Sequence, residues 1–298
     1  MGPLTVRRFK RAAHDRRVLK IVLTSLFLLF SLIPALAQSA HTSQFSQAAQ
    51  AVLDRNFPNR QISYLLLDAS GEVLAERWPS EAPASPGSLV KPFLAVAYGE
   101  QHDGQFPTVR CLGIRSRCWL PAGHGSLGLE EAIAQSCNTY FLQLASQLDR
   151  EEAANIFTRY GLTGPTSTAS SESLVGLGAA WKESPMALAR AYLMLVKEEP
   201  IATQKQIAQG MRSSALRGTA RAVDAALGEG AALAKTGTAP CSHTPRAAAD
   251  GFTVVLYPAA QPRLLLLIRV HGVTGASSAA VAGAMLRSLG AGEGSNKR

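Results

Sequence analysis

The sequence predicts an α+β protein: one antiparallel sheet flanked by helices, with a mostly helical lobe inserted into it. Two observations carry this. Strand-like apolar runs stand early in the chain, at Ile62 to Leu67 and Glu72 to Trp78, and late, at Ala231 to Thr238, Gly251 to Tyr257 and Arg263 to His271. Between them, from about Leu127 to Lys197, apolar residues recur at helical spacing. Strands at both ends around a helical insertion close into a single sheet only if early and late segments pair.

The elements follow in order. Arg7, Arg8, Lys10, Arg11, Arg16, Arg17 and Lys20 precede an apolar run from Ile21 to Ala37 that ends in Ala35-Leu36-Ala37. A basic region, an apolar region and a small-x-small end are the layout of a signal peptide. The rival is a retained membrane anchor, since the run approaches the ~20 residues that span a bilayer. Either way residues 38–298 are expected outside the cytoplasm, in the periplasm or on the outer face of the cytoplasmic membrane. The expected domain runs from 38 to 290, with a flexible tail over 291–298.

A helix is expected over Ser43 to Asn56, stopped by Asn56-Phe57-Pro58-Asn59. Asp68-Ala69-Ser70-Gly71 supplies the turn of a hairpin. Pro83, Pro86 and Gly87 mark a loop that delivers the chain into a helix beginning near Ser88. In the lobe the best periodic stretches are Leu129 to Leu148 and Ser184 to Lys197, another helix follows Gln204, and a last one spans Ser277 to Leu289.

Charge narrows the functional classes. The formal net charge is +9, but residues 1–37 hold seven of the 30 Lys+Arg and one of the 21 Asp+Glu, which leaves 38–298 at +3. No basic cluster recurs later, so nucleic acid is set aside as a partner. Of the four cysteines, Cys111 and Cys118 lie close enough in a Gly-containing loop to form a local bridge in an oxidising compartment, the alternative being free buried thiols. No His/Cys spacing suggests a metal site, His124 in Gly123-His124-Gly125 reads as a loop residue, and no cofactor motif is present.

Chemistry concentrates in three short motifs, each occurring once: Ser88-Leu89-Val90-Lys91, Ser136-Cys137-Asn138 and Lys235-Thr236-Gly237-Thr238. At a helix start, positions i and i+3 share a side, so Lys91 can face the Ser88 hydroxyl. A serine needs an adjacent base, and a lysine serves only if burial or a second cation such as Lys235 lowers its pKa. Singly each motif is ordinary: a serine three residues before a lysine arises by chance, Ser and Asn cap helices, and Lys-Thr-Gly can end a strand. Together and in this order they are the S-x-x-K, S-x-N and K-T-G signature of serine penicillin-recognising enzymes.

The flanks extend the likeness. Pro86-Gly87-Ser88-Leu89-Val90-Lys91-Pro92-Phe93, Gly123-His124-Gly125, Ser136-Cys137-Asn138-Thr139-Tyr140-Phe141, Gly176-Leu177-Gly178, Ser184-Pro185-Met186, Gly210-Met211, Gly218-Thr219-Ala220 and Ala234-Lys235-Thr236-Gly237-Thr238-Ala239 resemble the transpeptidase domain of class B penicillin-binding proteins. The resemblance covers roughly Ile62 to Leu289. It implies a β-lactamase/transpeptidase-like fold, peptidoglycan stem peptides and β-lactam antibiotics as ligands, and cell-wall synthesis proteins as partners, with the membrane involved only through an uncleaved N-terminus. It further implies Ser88 as the acylated nucleophile, Lys91 as its base and Ser136 as the proton relay. Asn138 would bind the substrate backbone, Lys235, Thr236, Gly237 and Thr238 the terminal carboxylate, and the N–H groups of Ser88 and Thr238 the oxyanion. A hydrolase of the same fold, β-lactamase or D,D-carboxypeptidase, stays open, as does a non-catalytic penicillin-binding or partner module. A deacylating glutamate is poorly supported: Glu172 is followed by Val175-Gly176 where Leu-Asn is expected.

Overall fold

A computed structural model describes residues 43–78, 83–197, 201–241 and 249–291. The segment read as signal or anchor, and all of the expected tail but Ala291, lie outside them. The chain divides into two units, 1–48 and 49–298. Of the first, residues 43–48 are helical. Among the described residues no helix is long and apolar enough to cross a membrane.

In the second unit the helical residues 49–56 (α1) precede strands β1 (Ile62–Asp68) and β2 (Val73–Arg77). Their turn is closed by Asp68, whose Oδ1 accepts from the backbone N–H of Ser70 at 2.7 Å and of Glu72 at 3.0 Å. The late strands are β5 (Leu233–Ala239), β6 (Asp250–Tyr257) and β7 (Leu264–His271), numbered after the short β3 (Val109–Cys111) and β4 (Gly125–Leu127). The main sheet has the order β2-β1-β7-β6-β5 with every pair antiparallel, so the first and last strands of the chain do meet at its centre.

Both faces of this sheet are covered, which is why β1 and β7 read as near-continuous apolar runs. Period-two alternation divides the residues. Tyr64, Leu66, Val255, Leu266 and Ile268 pack with α1, α9 (Arg221–Leu227) and α10 (Gly275–Ser288). Leu65, Leu67, Val254, Leu256, Leu265 and Leu267 pack on the other side with Phe93, Phe141, Tyr192 and Met211. These four come from α2 (Lys91–Gln101), α4 (Asn138–Ser146), α7 (Pro185–Lys197) and α8 (Ala202–Leu216). Burying each such side chain is worth about 1.5–3 kcal/mol. A polar pair interrupts the apolar run where β1 meets β7: Arg269 stands opposite Ser63, donates to its Oγ at 3.0 Å, and lies over the Trp78 ring.

The lobe contains α3 (Leu129–Ala134), α4, α5 (Arg150–Arg159), α6 (Ser171–Leu174) and α7. Two features depart from the sequence expectation. The helix expected over Leu129 to Leu148 is broken between α3 and α4, where Ser136 takes a left-handed φ of 52°. The short β3–β4 hairpin was not foreseen, because three-residue strands show no alternation to detect.

Glycine is required where α6 leads toward the sheet. Gly176 has φ 76°, and a Cβ there would sit 2.1 Å from the carbonyl oxygen of Gly87, one residue before Ser88. Gly178 has φ 83° but open space around it. Gly178→Ala should therefore cost only left-handed strain, about 1–2 kcal/mol, whereas Gly176→Ala should lower the melting temperature clearly further. Equal losses in thermal denaturation would mean that the Gly87 contact does not dictate glycine at 176.

Candidate active site

Ser88 lies in a 3-10 turn, Gly87–Val90, that runs directly into α2 at Lys91. Three residues per turn put Ser88 and Lys91 on one side, as their spacing suggested. The turn is pinned by Tyr192, whose hydroxyl donates to the Leu89 carbonyl at 2.6 Å. The Lys91 amine, however, makes its hydrogen bonds to the Ser136 carbonyl at 2.8 Å and to Asn138 Oδ1 at 2.6 Å, and reaches Ser136 Oγ at 3.5 Å. Among the described residues no hydrogen bond joins it to the Ser88 hydroxyl.

Ser136 is the hub. Its hydroxyl accepts from Lys235 Nζ at 2.8 Å, so two lysines from elements 144 residues apart converge on one serine. Both lysines are fully buried. Burial lowers the Lys91 ammonium to about 7, partly opposed by the Cys137 and Cys118 thiols. Lys235 is pushed well below the ordinary lysine range, first by burial and then by the charge of Lys91. Two ammonium ions sharing one hydroxyl out of water repel each other, which favours the free amine of at least one.

These groups open onto a cleft of about 350 Å³ lined by Ser88, Ser136 and Asn138 on the lobe side and Thr236, Gly237 and Thr238 on β5. Thr236 Oγ1 donates to Thr219 Oγ1 at 2.6 Å, and Thr238 Oγ1 accepts from the Gly275 N–H at 2.9 Å. All eight residues expected at the site are thus brought together: six line the cleft, and Lys91 and Lys235 lie buried against Ser136. Trp119, Leu177, Thr219 and Thr274 also line it and were not assigned there from sequence. Only Thr219 and Leu177 had a signal, in Gly218-Thr219-Ala220 and Gly176-Leu177-Gly178. Trp119, 51% exposed, donates from Nε1 to the Gln135 carbonyl at 3.1 Å. Glu172 does not line the cleft; its carboxylate is bonded to Arg117.

For the cysteines the structure takes one of the two alternatives the sequence left open. Cys111 and Cys118 are not bridged; all four cysteines are free thiols. His124 lies in the loop before β4, as expected, and its Nδ1 is 3.5 Å from both Cys111 Sγ and Cys118 Sγ, with Cys118 Sγ 3.8 Å from Cys137 Sγ. Residues spread over 111–137 in sequence are gathered by the 3-10 turn Gly113–Ser116, the β3–β4 hairpin and the break at Ser136. These four could hold a metal, although their spacing gave no warning of it. Cys241, Asp250 and His271 form a second grouping, but there His271 Nδ1 is taken up by Asp250 at 2.7 Å.

Comparison with known proteins agrees with the geometry. The chain belongs to the penicillin binding protein transpeptidase domain family, whose model matches residues 55–289. It is 32% identical over 90 residues to the peptidoglycan D,D-transpeptidase MrdA of Haemophilus influenzae, a match covering 27% of this chain and 14% of that protein. Its fold is similar to that of Pseudomonas aeruginosa PBP2, solved in complex with WCK 5153, at a TM-score of 0.64 and 20% identity over 84% of this chain and 73% of that one. Helicobacter pylori PBP2, solved with MreC, gives 0.67 and 18%, covering 82% of this chain and 63% of that chain. The Burkholderia pseudomallei penicillin-binding protein 3 domain gives 0.63 and 18%, covering 84% and 95%.

A base with a pKa lowered to about 7 is free to take a proton above that pH and blocked below it. Acylation by a fluorescent penicillin should accordingly rise with pH through about 7 and level off. A stopped-flow profile flat across that range would exclude Lys91 as the titrating base.

Proposed function

We propose that this chain is a peptidoglycan D,D-transpeptidase domain acting on D-alanyl-D-alanine stem peptides and acylated by β-lactams. The observation that supports it most is the Ser136 hydroxyl held between two buried lysines on the cleft that Ser88 lines. The Ser88 hydroxyl attacks the penultimate D-alanine carbonyl and gives its proton to neutral Lys91. The N–H groups of Ser88 and Thr238 receive the oxyanion, donors of a kind worth about 10²–10³ in rate each. Ser136 passes the proton to the departing D-alanine nitrogen as the C–N bond breaks. The ester on Ser88 is then resolved by an acceptor amine.

Substrate would itself set the lysines' charges. A terminal carboxylate against Thr236, Thr238 and Lys235 restores the Lys235 ammonium, and the repulsion between the two then keeps Lys91 neutral. Asn138, whose Oδ1 is occupied by Lys91, has its Nδ2 left for the substrate's backbone carbonyl. The basic-apolar N-terminus supports export by signal peptide or anchor, which places residues 38–290 where cell-wall peptides and synthesis proteins are found. The MreC complex of the Helicobacter pylori relative favours such partners.

Against a hydrolase stands Glu172, whose carboxylate is bonded to Arg117 and lies off the cleft; among the described residues that line the cleft there is no carboxylate to act as base on the Ser88 ester. The expected consequence is a long-lived penicilloyl adduct, with deacylation slowed by ~10²–10⁴-fold relative to an enzyme with such a base. After benzylpenicillin treatment and removal of excess drug, intact mass should show one adduct persisting for minutes to hours and absent from Ser88→Ala. Turnover within seconds would establish a hydrolase. Lys235→Ala should chiefly weaken acyl donors with a free carboxylate; equal loss with neutral donors would reassign its role.

A further inference from the structure

Two buried hydroxyls that the reaction does not touch lie behind the cleft: Thr253, on β6 opposite Thr236, and Ser278, in the first turn of α10. Their oxygens are 2.5 Å apart, and both reach the Gly275 carbonyl, Ser278 at 2.9 Å and Thr253 at 3.3 Å. One proton occupies the contact between the two oxygens. Whichever hydroxyl supplies it, the other is left to donate to Gly275, so either arrangement ends on the same carbonyl.

Gly275 opens α10, so its N–H has no partner within the helix. It donates instead across to β5, to Thr238 Oγ1 at 2.9 Å. The approach is close on two sides: a Cβ on Gly275 would sit 2.4 Å from the Gly237 carbonyl oxygen, and one on Gly251 2.4 Å from that of Thr274. The bond sets the polarity of the Thr238 hydroxyl. Its oxygen accepts from Gly275, and among the described residues nothing accepts its proton. Thr236 stands differently, because its proton is already given to Thr219 at 2.6 Å. Of the two β5 hydroxyls that line the cleft, Thr238 is thus the one held ready to donate, and it is exposed.

We propose that Thr253 and Ser278 are positioning residues for carboxylate selectivity: they hold the first turn of α10 against β5, so that the Gly275 amide keeps the Thr238 hydroxyl as a donor to the ligand's terminal carboxylate. This rests on the reading of the cleft as one that takes a free carboxylate. Neither side chain lines the cleft, so both act through Gly275 and then Thr238. A hydroxyl that accepts from an amide donates more strongly on its other side, since linked hydrogen bonds polarise one another. A carboxylate takes that proton in a charge-assisted bond, whereas an uncharged ester gains far less. Loss of the two buried hydroxyls therefore weakens acyl donors with a free carboxylate more than esterified ones.

Acylation rates of the full chain are measured by intact mass with benzylpenicillin and with its methyl ester. The wild type should favour the free acid. In Thr253→Val/Ser278→Ala, which removes both hydroxyls, the ratio of the two rates should fall by ~3–10-fold. Thr253→Val alone leaves the Ser278 donor and should keep most of the ratio. Leu66→Val, a cavity elsewhere in the same core, should lower the melting temperature with the ratio unmoved. A double variant that slows acid and ester by the same factor overturns the positioning role while the carboxylate reading stands. A wild type that does not distinguish acid from ester overturns both. A readout on the wild type decides even where the double variant fails to fold: the Gly275 amide proton resonance should move on acylation by benzylpenicillin and move far less with the methyl ester. Equal shifts overturn the proposal.

Discussion

Two lysine side-chain amines are withdrawn from water and aimed at a single serine hydroxyl, and much of the surrounding structure exists to make that tolerable. An isolated buried cation carries a penalty of several kcal/mol even after relaxation. Here it is met by lowering the pKa values and by hydrogen bonds: Lys91 to Ser136 and Asn138, Lys235 to Ser136 and the Thr236 carbonyl. Each of those acceptors sits on a constrained piece of backbone. Ser136 is left-handed between two helices, Asn138 opens α4, and Thr236 is fixed in β5 by its register with Thr253. A shift of any of these leaves a buried amine unsatisfied, which ties the folding of the lobe to that of the sheet.

Much of this was legible in the sequence because the sheet is buried on both faces. Continuous apolar runs at Ile62–Asp68 and Leu264–His271 announce central strands, and the reactive motifs sit at turns and element ends where their residue types are informative. The broken helix was not legible, since the α3 and α4 periodicities are in near register and the break depends on a left-handed Ser136 that no propensity favours. Nor was the thiol cluster. Cys111, Cys118, His124 and Cys137 become neighbours only when a three-residue hairpin and that break fold the chain back, and sequence distance carries no trace of it.

The close approach of the Ser88 turn to β5 shows why small residues recur in the motifs. Gly87 and Gly237 face each other's backbone: a Cβ on Gly87 would meet the Thr238 carbonyl at 2.6 Å, and one on Gly237 the Pro86 carbonyl at 2.8 Å. Backbone packed this tightly holds the Ser88 turn against β5 without help from side chains. What holds the proposed oxyanion donors is thus the chain itself, the least adjustable part of the protein.

The placement of β1 beside β7 has a consequence for how the chain acquires its structure. Ser63 pairs with Arg269 across some two hundred residues, and β6 and β7 separate the first hairpin from β5. Loops of that length close slowly, and non-local strand pairing is rewarded only after the entropy of closure has been spent. A chain emerging N-terminus first therefore presents an unpaired, apolar edge of the β1–β2 hairpin until β7, Leu264–His271, arrives. During that interval the hairpin's open edge is an aggregation hazard.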